Sequence, residues 1–205
     1  MGKAFQSTAN LFILSGVVLL FHCTTDNESV KESSLTEEET NDLLQLREEE
    51  KLARDVYLYT YEKYGLAIFI NISNSEQTHM DQVLELLSSY DLEDPAKKDT
   101  GAFNSEELQN LYAQLVAKVD ISAIEALIVG ATIEDLDIKD IKDFIERTEK
   151  EDISDVYENL MCGSRNHLRA YYAQIIENDS LYSPAYISQS EFDSIISSDN
   201  EQCAQ

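Results

Sequence analysis

The sequence predicts an all-α domain: four long helices in a bundle, with a long crossover between the second and third. Three observations carry that expectation. Apolar residues recur at intervals of three and four along four long segments, and no stretch alternates as a strand would. Prolines number two and glycines six in 205 residues, few for this length, and Glu, Leu, Lys and Ala are abundant. Hydrophobic residues make up 43% of the chain, enough to bury a core and too many for wholesale disorder.

Each element follows from its own residues. Thr36 and Glu39 have capping-box spacing, and Leu43, Leu46, Ala53, Tyr57 and Tyr61 continue the rhythm to a stop at Gly65. A second helix is predicted from about Ala67 to Tyr90, with Phe69, Ile72, Val83, Leu86 and Tyr90 on one stripe; Asp94-Pro95 ends it. A shorter one spans Ser105 to Lys118. The third long pattern runs from Ile121 to Thr148 and the fourth from Asp152 to Ile176. About 30 residues separate the second from the third, which fits a crossover carrying the short helix. The expected organisation is a signal over 1–22, a polar tether over 23–35, the bundle over 36–178, and a polar, Ser-rich tail over 179–205 with one short helix near Glu191 to Ile196.

Charge removes several functions. Forty acidic against fifteen basic side chains give a net charge of −25. Such a surface repels phosphate backbones and anionic lipid, so no nucleic-acid partner is expected. The N-terminus carries a different message. Leu11 to Phe21 form an apolar run behind Lys3, too short to span a bilayer comfortably and suited to a signal-peptide core. Cys23 follows at once, which resembles a bacterial lipoprotein signal with Cys23 as the lipidated residue; His22 and Phe21 are bulkier than that signal's usual residues. The expected location is therefore outside the cytoplasm, anchored to a membrane through an N-terminal lipid. Plain secretion and an uncleaved anchor are the alternatives. Cys162 and Cys203 are then left free to pair, but two cysteines make no disulfide framework.

The chemistry lies in what interrupts the stripes. The first helix runs Leu43, Leu46, Glu50, Ala53, Tyr57; the second runs Ile72, Glu76, His79, Val83. The third gives Leu127, Ala131, Glu134, Ile138, and the fourth gives Leu160, Ser164, His167, Tyr171. Every stripe thus carries an ionisable or ligating group near mid-helix. A lone buried carboxylate costs several kcal/mol, so these groups must be paired, protonated or metal-bound. Glu76 and His79 have E-x-x-H spacing, which places both on one face. Carboxylates with imidazole and no thiolate suit iron or manganese. Taken singly the signals are weak: Glu50 ends the run Glu48-Glu49-Glu50, which has the look of a solvated face, and Glu134 precedes Asp135 and Asp137. Gly130 and Gly163, each one turn before a candidate ligand, imply either close helix approach or room for a bound oxygen species.

The segments E-E-E-K-L-A-R-D-V-Y (48–57) and I-F-I-N-I-S-N-S-E-Q-T-H-M (68–80) resemble the first helix pair of rubrerythrin-type ferritin-like proteins. With G-A-T-I-E-D-L-D-I (130–138) and G-S-R-N-H-L-R-A-Y (163–171), the chain is similar to a ferritin-like family catalogued as domain of unknown function 2202, over about Glu38 to Ile176. The resemblance implies a di-iron or di-manganese centre that reacts with peroxide or dioxygen, an oxidase or peroxidase type of oxidoreductase, or one that binds and oxidises iron. Its ligands would be Glu50, Glu76, His79, Glu134 and His167. Where the superfamily has a fourth glutamate this chain has Ser164; Asp137 is a candidate to fill the gap, and the alternatives are an asymmetric site, a single metal or weak binding. Tyr57, Tyr61 and Ser164 would flank the ligands. A reading of another class is an acidic, surface-tethered bundle that binds a partner and no metal, with Glu50, Glu76 and Glu134 either protonated or paired with Arg54, Arg165 or Arg169. Convergence of the five ligands, against glutamates bonded to arginine, separates the two.

Overall fold

The computed structural model describes residues 1, 2 and 34–203. The expected signal, nearly all of the tether, and Cys23 lie outside these residues. Among the described residues all regular structure is helical, with six helices and no strand. They are α1 (Glu37–Tyr64), α2 (Ala67–Ser89), α3 (Glu106–Val119), α4 (Ala123–Arg147), α5 (Glu151–Glu177) and α6 (Gln189–Ile196). No helix here is long and apolar enough to cross a membrane.

The ends of α1 form as its sequence dictates. Thr36 Oγ1 accepts from Glu39 N at 3.1 Å while Thr36 N donates to Glu39 Oε2 at 2.8 Å, so two otherwise orphaned donors are satisfied. Gly65 closes the helix in the left-handed region at φ 67°, donating to Tyr61 O. Ser105, Ser122 and Ser188 cap α3, α4 and α6 in the same manner. The short links 65–66 and 148–150 make antiparallel pairs of α1 with α2 and of α4 with α5. Further packing of α1 on α4 and of α2 on α5 closes a ring of four, with α3 against α1 and α4, and α6 against α5.

The ring's apolar interior is divided in two. One cluster gathers Leu43, Leu46, Val83, Leu86, Ile141, Phe144, Ile153 and Leu160. The other gathers Ala53, Val56, Phe69, Ile72, Leu127, Ala131, Leu168 and Tyr171. Burying each large apolar side chain contributes about 1.5–3 kcal/mol, so both clusters are strong supports. On α1, α2 and α5 the polar interruptions Glu50, Glu76 with His79, and Ser164 with His167 lie between the two clusters in sequence; on α4 Glu134 lies between Ile133 and Ile138 of the second cluster.

The crossover and the tail are tied to this frame by buried charge. Lys51, wholly buried, bonds to Asp55 and donates to Asp99 O at 3.0 Å, while Gly101 N donates to Asp55 at 2.8 Å. Arg47 grips Asp94 at 2.8 Å and donates to Met80 O at 3.0 Å. The tail, expected to be polar and Ser-rich with one short helix, buries Tyr182, Ile187, Phe192 and Ile195. Asp135 accepts from the Tyr182 hydroxyl and from the backbone N–H groups of Ala185, Tyr186 and Ile187 at 2.5–3.1 Å. Glu201 bonds Arg165 and Arg169, and Cys203 forms a disulfide with Cys162. The sequence left that pairing open; the folded tail brings the two together.

Candidate metal centre

Glu50 comes from α1, Glu76 and His79 from α2, Glu134 from α4 and His167 from α5, and all five are buried. They meet as two trios that share one residue: Glu50, Glu76 and His79, and Glu76, Glu134 and His167. Within each trio the ligand atoms lie within 4.8 Å of one another, a spacing that could hold a metal ion. Glu76 occupies the middle, with Oε2 at 2.8 Å from His79 Nδ1 and Oε1 at 2.9 Å from His167 Nδ1. The outer carboxylates complete the pattern, Glu50 Oε2 at 3.2 Å from His79 Nδ1 and Glu134 Oε2 at 3.3 Å from His167 Nδ1. The imidazoles stack at 5.6 Å between centroids.

Several of these atoms face one another without forming hydrogen bonds. Glu50 Oε1, Glu76 Oε1, Glu134 Oε2 and His167 Nδ1 are buried and have no aligned partner. Unsatisfied buried polar atoms are rare, and lone pairs converging on a common space are what a cation would satisfy. The donor set of carboxylate and imidazole fits iron or manganese.

With only the protein's own groups to neutralise one another, the centre is strongly perturbed. Burial opposes the charge on His79, but Glu50 and Glu76 outweigh it and raise its pKa to about 10. His167 is raised in the same way, burial being overcome by Glu76 and Glu134. Burial raises Glu50 to about 7 against the pull of His79. Burial also acts on Glu76, yet His167 and His79 win and hold it well below the ordinary carboxylate range. Glu134 is raised by burial and then by the charge of Glu76.

Neighbouring residues fix the ligands' orientation. Tyr57, buried on α1, donates to Glu134 Oε1 at 2.5 Å and so turns Oε2 toward His167. Ser75 Oγ lies 3.0 Å from His167 Nε2, which leaves Nδ1 facing Glu76 and Glu134. Gly163 lies against the His79 ring: a Cβ there would sit 2.6 Å from Nε2. Gly130 makes the same room for Tyr171, so both glycines serve close helix approach.

The remaining expected residues divide. Asp137 is buried one turn beyond Glu134, its pKa raised well above the ordinary value by burial and by Glu50 and Glu134, but it belongs to neither trio. Ser164 is buried and donates back to Leu160 O at 3.2 Å on its own helix. Tyr61 is 37% exposed in the last turn of α1. Ser75 and Tyr171 escaped the sequence reading, since a serine beside a glutamate and a tyrosine on an apolar stripe carry no distinguishing signal. The arginines are engaged elsewhere, Arg54 with Asp55 and Gln77, and Arg165 and Arg169 with Glu201.

Comparison with known proteins leads to the same segments. The chain is 52% identical over 175 residues to the uncharacterized protein MJ0754 of Methanocaldococcus jannaschii, covering 85% of this chain and 95% of that one. The crystal structure of hypothetical protein MJ0754 from Methanococcus jannaschii superposes with a TM-score of 0.81 over 83% of this chain and 98% of that chain. A family model described as an uncharacterized protein domain, DUF2202, matches residues 39–199 and so takes in most of the tail that the sequence resemblance left out. The chain belongs to the DUF2202 family.

Proposed function

We propose that α1, α2, α4 and α5 form a ferritin-like four-helix bundle holding two divalent metals, iron or manganese, and that the protein reacts with peroxide or dioxygen or binds and oxidises iron. The observation that carries this reading is the pair of trios sharing Glu76. Each trio offers two carboxylates and one imidazole, so Glu76 would bridge while Glu50 with His79, and Glu134 with His167, would serve one metal each. Three carboxylates against two divalent ions come close to neutrality, which relieves the desolvation cost of the buried acids.

Bound here, the metals would supply redox equivalents and a clamp for two oxygen atoms. The chain's own residues do the rest. Tyr57 and Ser75 hold Glu134 and His167 in ligating orientation. The two apolar clusters keep bulk water from the centre along the bundle axis. An opening of about 360 Å³ beside Ser75, His79, Asn159 and His167 connects the histidine side to solvent and admits a molecule the size of peroxide. Export with lipidation at Cys23 remains part of the proposal, and the Cys162–Cys203 disulfide fits an oxidising compartment.

The partner-binding alternative has its glutamates either paired with arginine or protonated; the arginines are bonded elsewhere, which removes the first form, and metal analysis tests the second. The deciding experiment is metal analysis of protein purified without chelator from iron- and manganese-supplemented cells, beside a Glu76→Ala/His79→Ala variant. About two metals per chain in the parent and none in the variant is the expected result. A folded parent that takes up no metal after reconstitution would overturn the reading.

A further inference from the structure

Glu49 belongs to an acidic run with the look of a solvated face, yet it is buried. It is 7% exposed; Oε1 accepts from Gln45 at 2.8 Å, whereas Oε2 is buried with no partner. That unpartnered oxygen lies where two cavities meet. The outer one is a cleft of about 660 Å³ between α1, α3 and α4, lined by four carboxylates, Glu48, Glu49, Glu107 and Asp140, with no basic residue among its lining. Three of the four are engaged: Glu49 accepts from Gln45 through Oε1 alone, Glu48 accepts from Asn104 N, and Asp140 from Lys139. The inner one is a small annex of about 20 Å³ that shares Glu49, Leu108, Leu111, Leu136 and Tyr186 with the cleft and has Asp137 as its other acid. A space of that size holds one water-sized particle. Asp137 lies one turn beyond Glu134 on α4 and Glu49 adjoins Glu50 on α1, so each acid of the annex neighbours a candidate ligand on its own helix.

We propose that this annex is a relay site for divalent cations, through which Glu49 and Asp137 pass metal from the acidic cleft to the centre. The inference rests on the di-metal reading above. The acidic cleft concentrates cations at its mouth by charge. A fully hydrated ion does not fit the annex, so Glu49 Oε2 and Asp137 must replace part of its water shell. Thr132 and Tyr186 are the other polar residues of the annex's lining, and Thr132 gives its hydroxyl proton to Ile128 O, so Glu49 and Asp137 are the anionic ligands that can replace water there. The same requirement makes the route selective, because magnesium gives up its water reluctantly.

The test is stopped-flow uptake of Co²⁺ by the full chain after chelator treatment, followed by the visible absorbance of the filling centre. Glu49→Gln should slow filling at least tenfold while the final stoichiometry and spectrum match the parent. Asp137→Asn should do the same, and a large excess of Mg²⁺ should not slow the parent. Glu107→Lys, on the exposed rim, should slow uptake at low salt and recover at high salt, a check that does not depend on a buried substitution. Unchanged filling rates in folded Glu49→Gln would overturn the relay. So would an Asn159→Trp variant that slows filling when Glu49→Gln does not, since entry would then be on the histidine side. A parent that binds no Co²⁺ would instead bring down the di-metal reading, and the relay with it.

Discussion

Gly163→Ala separates metal binding from folding. Glycine within a helix costs about 0.5–1 kcal/mol relative to alanine, so on local grounds the change stabilises α5. Its cost falls on His79. The new Cβ would stand 2.6 Å from Nε2 and 2.7 Å from Cε1, and reaching ordinary contact at 3.4 Å requires a shift of about 0.8 Å. The ring cannot retreat along its own axis, because Nδ1 already lies 2.8 Å from Glu76 and 3.2 Å from Glu50. It must swing aside. Metal–ligand distances tolerate about 0.2 Å, so the displaced imidazole loses its place in one trio. His167, 3.9 Å from the same Cβ, is untouched and the second trio survives. Affinity for one of two metals should fall at least tenfold, about 1.4 kcal/mol. Isothermal titration with Mn²⁺ should show two sites in the parent and one retained site in the variant, with the thermal midpoint of the metal-free protein kept. A folded variant that titrates like the parent would refute both the placement of His79 and its role.

Other outcomes follow from the same contacts. Tyr57→Phe removes the 2.5 Å bond to Glu134 and should weaken the His167-side metal about 10–100-fold, read in the same titration. Lys51→Met takes one of two cations from buried Asp55, Arg54 remaining, and should destabilise the fold by about 1.5–3 kcal/mol in denaturant unfolding, a loss that Glu107→Gln on the surface should not reproduce. For the metal-free protein, His79 is raised from 6.5 to about 10, so its contribution is complete below pH 6.5 and is lost as pH rises through 10. Glu50, raised from 4.5 to about 7, acts in the same direction at lower pH, while the depressed pKa of Glu76 contributes above 4.5 and is lost only in acid. Thermal midpoints of chelator-treated protein should therefore fall between pH 6.5 and 10, and metal should abolish the fall; a flat profile would count against the histidine–carboxylate pairing.

The helices were legible because their signals are local. Thr36 with Glu39, Gly65, and the serines before α3 and α4 act within a few residues of where they stand. The ligands were legible because a polar residue on an apolar stripe contradicts its surroundings, and four such contradictions on four helices point to one level. Tertiary partners left no such trace. Asp135 anchors the tail through groups some fifty residues away, and Cys162 finds Cys203 across a separation of 41. Composition was misleading for Lys51 and Asp55, which look like surface charge and are buried because each neutralises the other.

The run Glu48-Glu49-Glu50 has the appearance of a uniform acidic patch, yet its members are not interchangeable. Successive residues on a helix point about 100° apart. Glu48 accordingly receives the crossover at Asn104, Glu49 opens on the cleft, and Glu50 reaches the histidines. Deleting any one of the three would leave the composition nearly unaltered while rotating the rest of α1 out of phase. In such a segment homology is meaningful only when alignment is kept in register, and a shift of one residue would assign every role to the wrong glutamate.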